Sequence, residues 1–351
     1  MAARTRQQLP EEVAAPLSRL GEAISAGRVT ASVADAALAA ISGLPPEAVT
    51  WADRPIARLL GIDWHYSYDR RSLIGMFGPD QAAFSVLAKH QSLAALLLFH
   101  HSGFVRQRAL ETLSTPPAAP FLLTSLMLRM NDWVRQVRVA ARYSAERLLP
   151  QTSPEVVAAA APYLLDRWRK WGRWEADGVA VLDAALQRPD VVASLVQRFL
   201  GKDAGSIAVT LRHALRGASL DPHLYELAHK AAHPAVRVIA LRALISKRAT
   251  WPVGFRREWI DKTYGLSRRV VVLESRPVQH DYPTAPLIRA ALTDRSAAIR
   301  RVAAEAVIEQ RVLLADIDDL ADAMIVDRAP SIRDRGDFLR RKLAEERGRL
   351  A

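Results

Sequence analysis

The stretch Asp132-Trp133-Val134-Arg135-Gln136-Val137-Arg138-Val139-Ala140-Ala141 decides how this chain is read, because its second half returns four more times. An aliphatic residue, an arginine, two variable residues and a small residue recur from Val105 to Ala109, Val236 to Ala240, Ile299 to Ala303 and Ile332 to Gly336. Successive copies lie 32, 99, 63 and 33 residues apart, close to one, three, two and one units of about 32, a period that marks a helical repeat array. Aliphatic residues at three- and four-residue spacing make each phrase the apolar face of an amphipathic helix. The aspartate that leads the phrase recurs as Asp294 and Asp327.

Degenerate copies fill the gaps. Val179 to Leu186 and Ile207 to Leu215 parallel Val236 to Leu244, and Leu266 to Leu273 takes the sixth place. Pro116, Pro154, Pro189, Pro222, Pro252 and Pro286 each stand near the start of a further apolar-periodic segment, where a helix tolerates proline. Two helices per unit with nearly no strand pattern predict an all-α chain, a right-handed α-solenoid of about eight helical hairpins. The array is expected over 79–351, with an irregular middle near 165–210 and a loop insertion near 274–283.

These phrases resemble HEAT repeats, in the HEAT-like form also found in bacterial phycobilin-lyase-related proteins, over residues 80 to 348. The resemblance implies that the second helix of each pair lines a concave face. It also implies a ladder between neighbouring repeats, with Arg106, Arg138, Arg237, Arg300 and Arg333 as its arginines and Asp132, Asp294 and Asp327 as their partners. Ala180 and Ala208 replace the arginine in the third and fourth units, so the ladder is interrupted there. The shared phrase is architecture, and phycobilin chemistry does not come with it.

Residues 1–78 depart from the repeat and read as a divergent N-terminal helical cap, with helices from Glu11 to Ala26 and from Thr30 to Ile41, Thr30 serving as N-cap. Gly61 to Asp69 is a polar, aromatic stretch that reads as loop. A cap would cover the apolar edge of the first repeat, which such arrays need; the alternative is a ligand-binding rim.

At 351 residues the chain exceeds one compact core, which agrees with an array or two domains. Half its residues are apolar and a quarter charged, the balance of a globular protein. The absence of cysteine excludes disulfides, thiolate zinc sites, iron–sulfur clusters and a cysteine nucleophile. The longest apolar run, Leu93 to Phe99, has seven residues, against roughly 20 for a membrane helix. With no apolar core of a signal peptide at the N-terminus, a cytoplasmic location without membrane contact is expected. Arginine supplies 42 of the 49 basic residues, a bias that accompanies GC-rich genomes and suggests a bacterial source.

His90, His100 and His101 are the histidines that could approach a metal, but no carboxylate repeats at ligand spacing and no histidine is followed by glutamate. No Gly-rich phosphate loop, nucleophile elbow or zinc-protease motif occurs. No cofactor and no metal are expected. Some HEAT-like proteins are glycosylases for alkylated DNA bases, and Trp168, Trp171 and Asp177 offer the residue types that such a base-binding groove uses. The alternative for these tryptophans is to fill a junction between irregular repeats.

The net charge is +12, and half of that excess lies in residues 201–260. Arg248, Trp251, Arg256, Arg257, Trp259, Arg268 and Arg269 interleave cations with aromatics. That mixture suits an acidic protein, whose hot spots meet arginine and tryptophan anchors, and it suits single-stranded nucleic acid. The expectation is a non-catalytic scaffold holding an acidic protein partner, with nucleic acid, and base repair as its enzymatic extension, as the alternative.

Overall fold

Each copy of the repeated phrase is helical and turns its two end residues inward. Val105 with Ala109, Val137 with Ala141, Val236 with Ala240, and Ile299 with Ala303 are buried, because positions i and i+4 share one face of an α-helix. A computed structural model describes residues 8–62, 78–167, 169–174, 176–201 and 206–350. Among these the chain is mostly helical, with 18 α-helices and one two-stranded antiparallel sheet. It divides into two compact units, Met1–Val191 and Val192–Ala351.

The first unit begins with α1 (Glu11–Ser25), α2 (Ala31–Ser42) and α3 (Val49–Leu59). The Thr30 hydroxyl accepts a hydrogen bond from the Val33 amide and so caps α2. Gly21 lets α1 meet the end of α3, since a Cβ there would sit 2.2 Å from the Leu59 carbonyl oxygen. The chain continues through α4 (Gly78–Lys89), α5 (Ala94–Leu97), α6 (Gly103–Thr112), α7 (Pro120–Arg129), α8 (Arg135–Leu148), α9 (Pro154–Arg167) and α10 (Ala176–Leu186). Helices α4, α6, α8 and α10 pack side by side, as do α5, α7 and α9, while α2 and α3 lie against α7. Most of the aromatic stretch expected as loop, residues 63–69, lies outside the described residues.

Helix α11 (Pro189–Leu200) leads into α12 (Ile207–Ala214), α13 (Leu224–Lys230) and α14 (Pro234–Ser246), and α15 (Thr284–Leu292), α16 (Ala297–Glu309), α17 (Ile317–Ile325) and α18 (Pro330–Leu350) follow. Helices consecutive in sequence pack together as α13/α14, α15/α16 and α17/α18, and α12, α14, α16 and α18 pack in a row. In α18 the small position of the phrase is Gly336, where a Cβ would lie 2.7 Å from the Ile325 amide nitrogen. Helices α17 and α18 therefore approach more closely than a side chain allows.

Between α14 and α15 the expectation from sequence is corrected. Leu266 to Leu273, read as a sixth repeat helix, is strand, and so is the segment around Pro252. Strands β1 (Arg248–Asp261) and β2 (Leu266–Pro277) form a hairpin. Glu274 to Pro277, expected as loop, closes β2. Helix α14 packs directly on α16, so the interval from Val236 to Ile299 holds one unit and an insertion, not two units. The insertion is 30 residues long, Arg248 to Pro277. Without it that interval is 33 residues, equal to the interval from Ile299 to Ile332.

Candidate functional site

Cross-strand partners share a face of a sheet, and successive residues alternate between faces. Phe255 pairs with Val271, Arg257 with Arg269 and Trp259 with Ser267. One face of the hairpin therefore carries Phe255, Arg257, Trp259, Arg269 and Val271. It continues toward the base through Pro252 with Leu273 and through Thr250 with Ser275, to Arg248. A register shift between Pro252 and Gly254 accommodates one extra residue in β1, which keeps Pro252 and Phe255 on the same side.

This face is open to solvent. Phe255 is 61% exposed, Leu273 56%, Trp259 46% and Val271 45%. The Arg269 guanidinium lies 4.3 Å from the Phe255 ring centre and that of Arg257 lies 5.3 Å from the Trp259 ring, so both cations are held over aromatic faces. Arg257 and Arg269 stand directly opposite each other, an arrangement that costs stability in a sheet. Among the described residues neither has a carboxylate partner.

The opposite face carries Trp251, Arg256, Glu258, Arg268, Val270, Val272 and Glu274, and two cross-strand pairs close on it. Arg268 Nε donates to Glu258 Oε2 at 2.7 Å, and Trp251 Nε1 donates to Glu274 Oε2 at 3.3 Å. The seven residues singled out in the sequence thus all lie on one hairpin but divide between its faces. Arg248, Arg257, Trp259 and Arg269 share the first face, where Arg248 Nη2 donates to Ser275 Oγ; Trp251, Arg256 and Arg268 lie on the other.

The base of the hairpin is fixed. Ala249 is buried, and Val278 N donates to the Lys247 carbonyl at 2.9 Å, where the chain returns beside the end of α14. Arg276, which sequence reading passed over, anchors β2: it donates to both carboxylate oxygens of Asp221 at 2.7 and 2.6 Å and to the carbonyls of Leu215 and Gly217. A groove of about 500 Å³ beside this base is lined by Arg242, Arg248, Thr250, Leu273 and Glu305, among others. The 14 residues of β1 reach about 45 Å at 3.3 Å per residue, so the tip stands well beyond this anchorage.

The five arginines of the phrase share one geometry. Nη1 of Arg106, Arg138, Arg237, Arg300 and Arg333 donates to the carbonyls six and five residues earlier, at 2.7 to 3.5 Å. Arg106, Arg237 and Arg300 also reach an aspartate of a later helical pair. Arg106 binds both oxygens of Asp132 at 2.8 Å, Arg300 binds Asp327 at 2.7 and 3.0 Å, and Arg237 binds Asp294 at 3.1 Å. Each of these aspartates accepts the amide two residues on, from Val134, Ser296 or Ala329. The hydrogen bonds from Arg300 hold the Asp327 carboxyl below its ordinary range.

Trp171 is buried, edge-on to Tyr163 at 6.1 Å and to Trp174 at 5.6 Å, so its ring is enclosed by protein. Trp168 lies outside the described residues, and Asp177 falls in the first turn of α10. His100 and His101 lie in the turn after α5 with their rings stacked at 4.4 Å. His101 Nδ1 is 2.8 Å from the Ile62 carbonyl, and His100 Nδ1 accepts from the Ser102 amide. Among the described residues no group of histidines and carboxylates is placed to hold a metal ion, and no helix is long and apolar enough to cross a membrane. No family model matches this chain, and no curated protein or solved structure matches it either.

Proposed function

We propose that this chain is a non-catalytic binding scaffold, a right-handed HEAT-like solenoid that holds an acidic protein partner on the arginine–aromatic face of the β1–β2 hairpin. The rows of paired helices, the buried repeat phrase and the arginine–aspartate clamps support the repeat reading. One observation carries the functional reading: Arg257 and Arg269 face each other on an exposed surface with Phe255, Trp259, Val271 and Leu273, and no carboxylate of the hairpin shares that face. Carboxylates from outside would relieve the repulsion, and covering the apolar side chains would add hydrophobic gain.

The aliphatic residues separate the two partner classes. Phosphates take cations and bases take flat rings, but neither uses Val271 or Leu273. An apolar protein surface rimmed by aspartate and glutamate uses all six side chains.

The test compares labelled acidic–aliphatic peptides with labelled single- and double-stranded DNA and RNA by fluorescence anisotropy over a range of salt. The expected result is peptide binding that survives physiological salt, is lost in R257E/R269E and is kept in R256E/R268E. Nucleic-acid binding should fade as salt rises, since contacts with about six phosphates lose roughly a thousandfold in affinity between 50 and 200 mM salt. Salt-resistant nucleic-acid binding through Arg257 and Arg269 would overturn the protein assignment.

A further inference from the structure

We infer that the chain pairs with a second copy of itself through the outer edge of β2, antiparallel and centred on Val271. This pairing uses the edge of the hairpin and does not depend on what its arginine–aromatic face binds.

The hairpin is a two-stranded sheet, so each strand has one edge turned away from the other. The edge of β1 is guarded. Pro252 brings no N–H, two register shifts bend the strand, and α12 and α14 pack against it. Strand β2 has no such interruption from Leu266 to Arg276, and its residues pair in unbroken register with β1. Its middle, Val270 to Leu273, is apolar on both faces, the pattern of a strand inside a sheet. Val271 and Leu273 are nevertheless exposed. A long, regular, apolar edge of this kind recruits another strand.

The order of residues in β2 selects a second copy as that strand, because β2 is complementary to itself about Val271. Antiparallel pairing centred there sets Arg268 opposite Glu274, Arg269 opposite Leu273, Val270 opposite Val272 and Ser267 opposite Ser275, each twice by symmetry. Val271 meets its own copy on the axis. Facing residues keep to one side of the sheet, so Phe255, Val271 and their copies form one apolar row, while Glu258, Arg268 and the second Glu274 form a row of alternating charge. Arg268 donates to Glu258 through Nε, and a guanidinium has further donors for a second carboxylate. Glu274 receives Trp251 on Oε2 and has another oxygen to offer. Moving the centre by one residue destroys the match. At Val270 it sets Arg268 against Val272 and Glu274 against Leu266; at Val272 it sets Arg268 against Arg276 and Glu274 against Val270. The product is a four-stranded sheet, β1-β2-β2-β1, that carries both arginine–aromatic faces on one side.

The test is sedimentation velocity of the full chain over a concentration series at about 150 mM sodium chloride. A reversible monomer–dimer equilibrium is expected. R268E alone and E274R alone set like charges opposite each other at both pairs, and each should weaken dimerisation by about tenfold or more. A mixture of the two variants restores opposite charges at both pairs, so heterodimers should form with close to wild-type affinity. R257E/R269E, which removes the binding proposed for the face, should still dimerise. Because the chain has no cysteine, Val271→Cys gives a second reading. Its side chains lie about 5 Å apart across the axis, and oxidation with diamide should link the two chains. Leu273→Cys, whose copies stand four residues apart along the strands, should stay unlinked. A wild-type chain that stays monomeric at the highest concentration would overturn the pairing and leave the edge to a strand of another protein. Undiminished dimers in R268E and E274R, a mixture that stays monomeric, or equal linking of both cysteine variants would overturn it as well. Should either charge variant lose its helical circular dichroism, the cysteine pair decides alone.

Discussion

Asp132 shows what one residue of the repeat phrase does. Its carboxylate, with a side chain 2% exposed, accepts from Arg106 and Arg129 and from the Val134 amide. Asp132→Ala leaves two buried guanidiniums without their shared partner, and a loss of about 3–5 kcal/mol in denaturant unfolding is expected. The Arg300–Asp327 pair has a pH signature. Asp327 titrates below its unfolded value, so its contribution is present above about pH 4 and is lost as pH falls through the folded value. The stability difference between wild type and Asp327→Asn should therefore shrink on acidification from pH 6 to pH 3. A constant difference would show that the pair acts through packing alone. Val137 is fully buried, and Val137→Asp should cost several kcal/mol or unfold the first unit. A wild-type melt would mean that the phrase does not face the core.

At the scale of elements, the hairpin is the part that sequence periodicity misread. Leu266, Val270 and Leu273 fall at helical spacing, and an insertion of nearly one repeat length imitates a repeat when intervals alone are compared. The alternation that would have marked strands is masked because Val270, Val271 and Val272 are consecutive and β1 carries extra residues at its register shifts. The candidate residues were legible as a basic, aromatic cluster, but their division between two faces was not, since it depends on those shifts. Because Thr250 and Ser275 are paired, Trp251 to Glu274 can be replaced by Asn-Gly, a two-residue turn suited to a hairpin. That variant keeps Ala249 and Arg276 at the base. It should retain its helical circular dichroism and lose peptide binding; loss of helical signal would instead make the hairpin part of the core.

For the whole molecule, a charge of +12 opposes compaction through self-repulsion. The clamps that join helices are buried and weakly screened, whereas the excess arginines are exposed and strongly screened. Tm should therefore rise when sodium chloride increases from about 10 to 150 mM, with the Debye length falling from roughly 30 to 8 Å. A fall would show that surface ion pairs outweigh the repulsion. The same screening distinguishes binding at the proposed site from general attraction, since only contacts formed at close range survive it.

The sequence by itself determined the helical character and the inward-facing ends of each phrase, because these depend on a period of a few residues; the arginine–aspartate ladder was an implication of the HEAT resemblance, and its contacts join residues 26 to 57 apart. Tertiary structure decided that Leu266 to Leu273 is strand, that Arg257 and Arg269 stand opposed, and that Arg276 anchors the hairpin on Asp221. Each of those facts depends on which distant segment a residue meets, and packing selects that segment where local spacing does not.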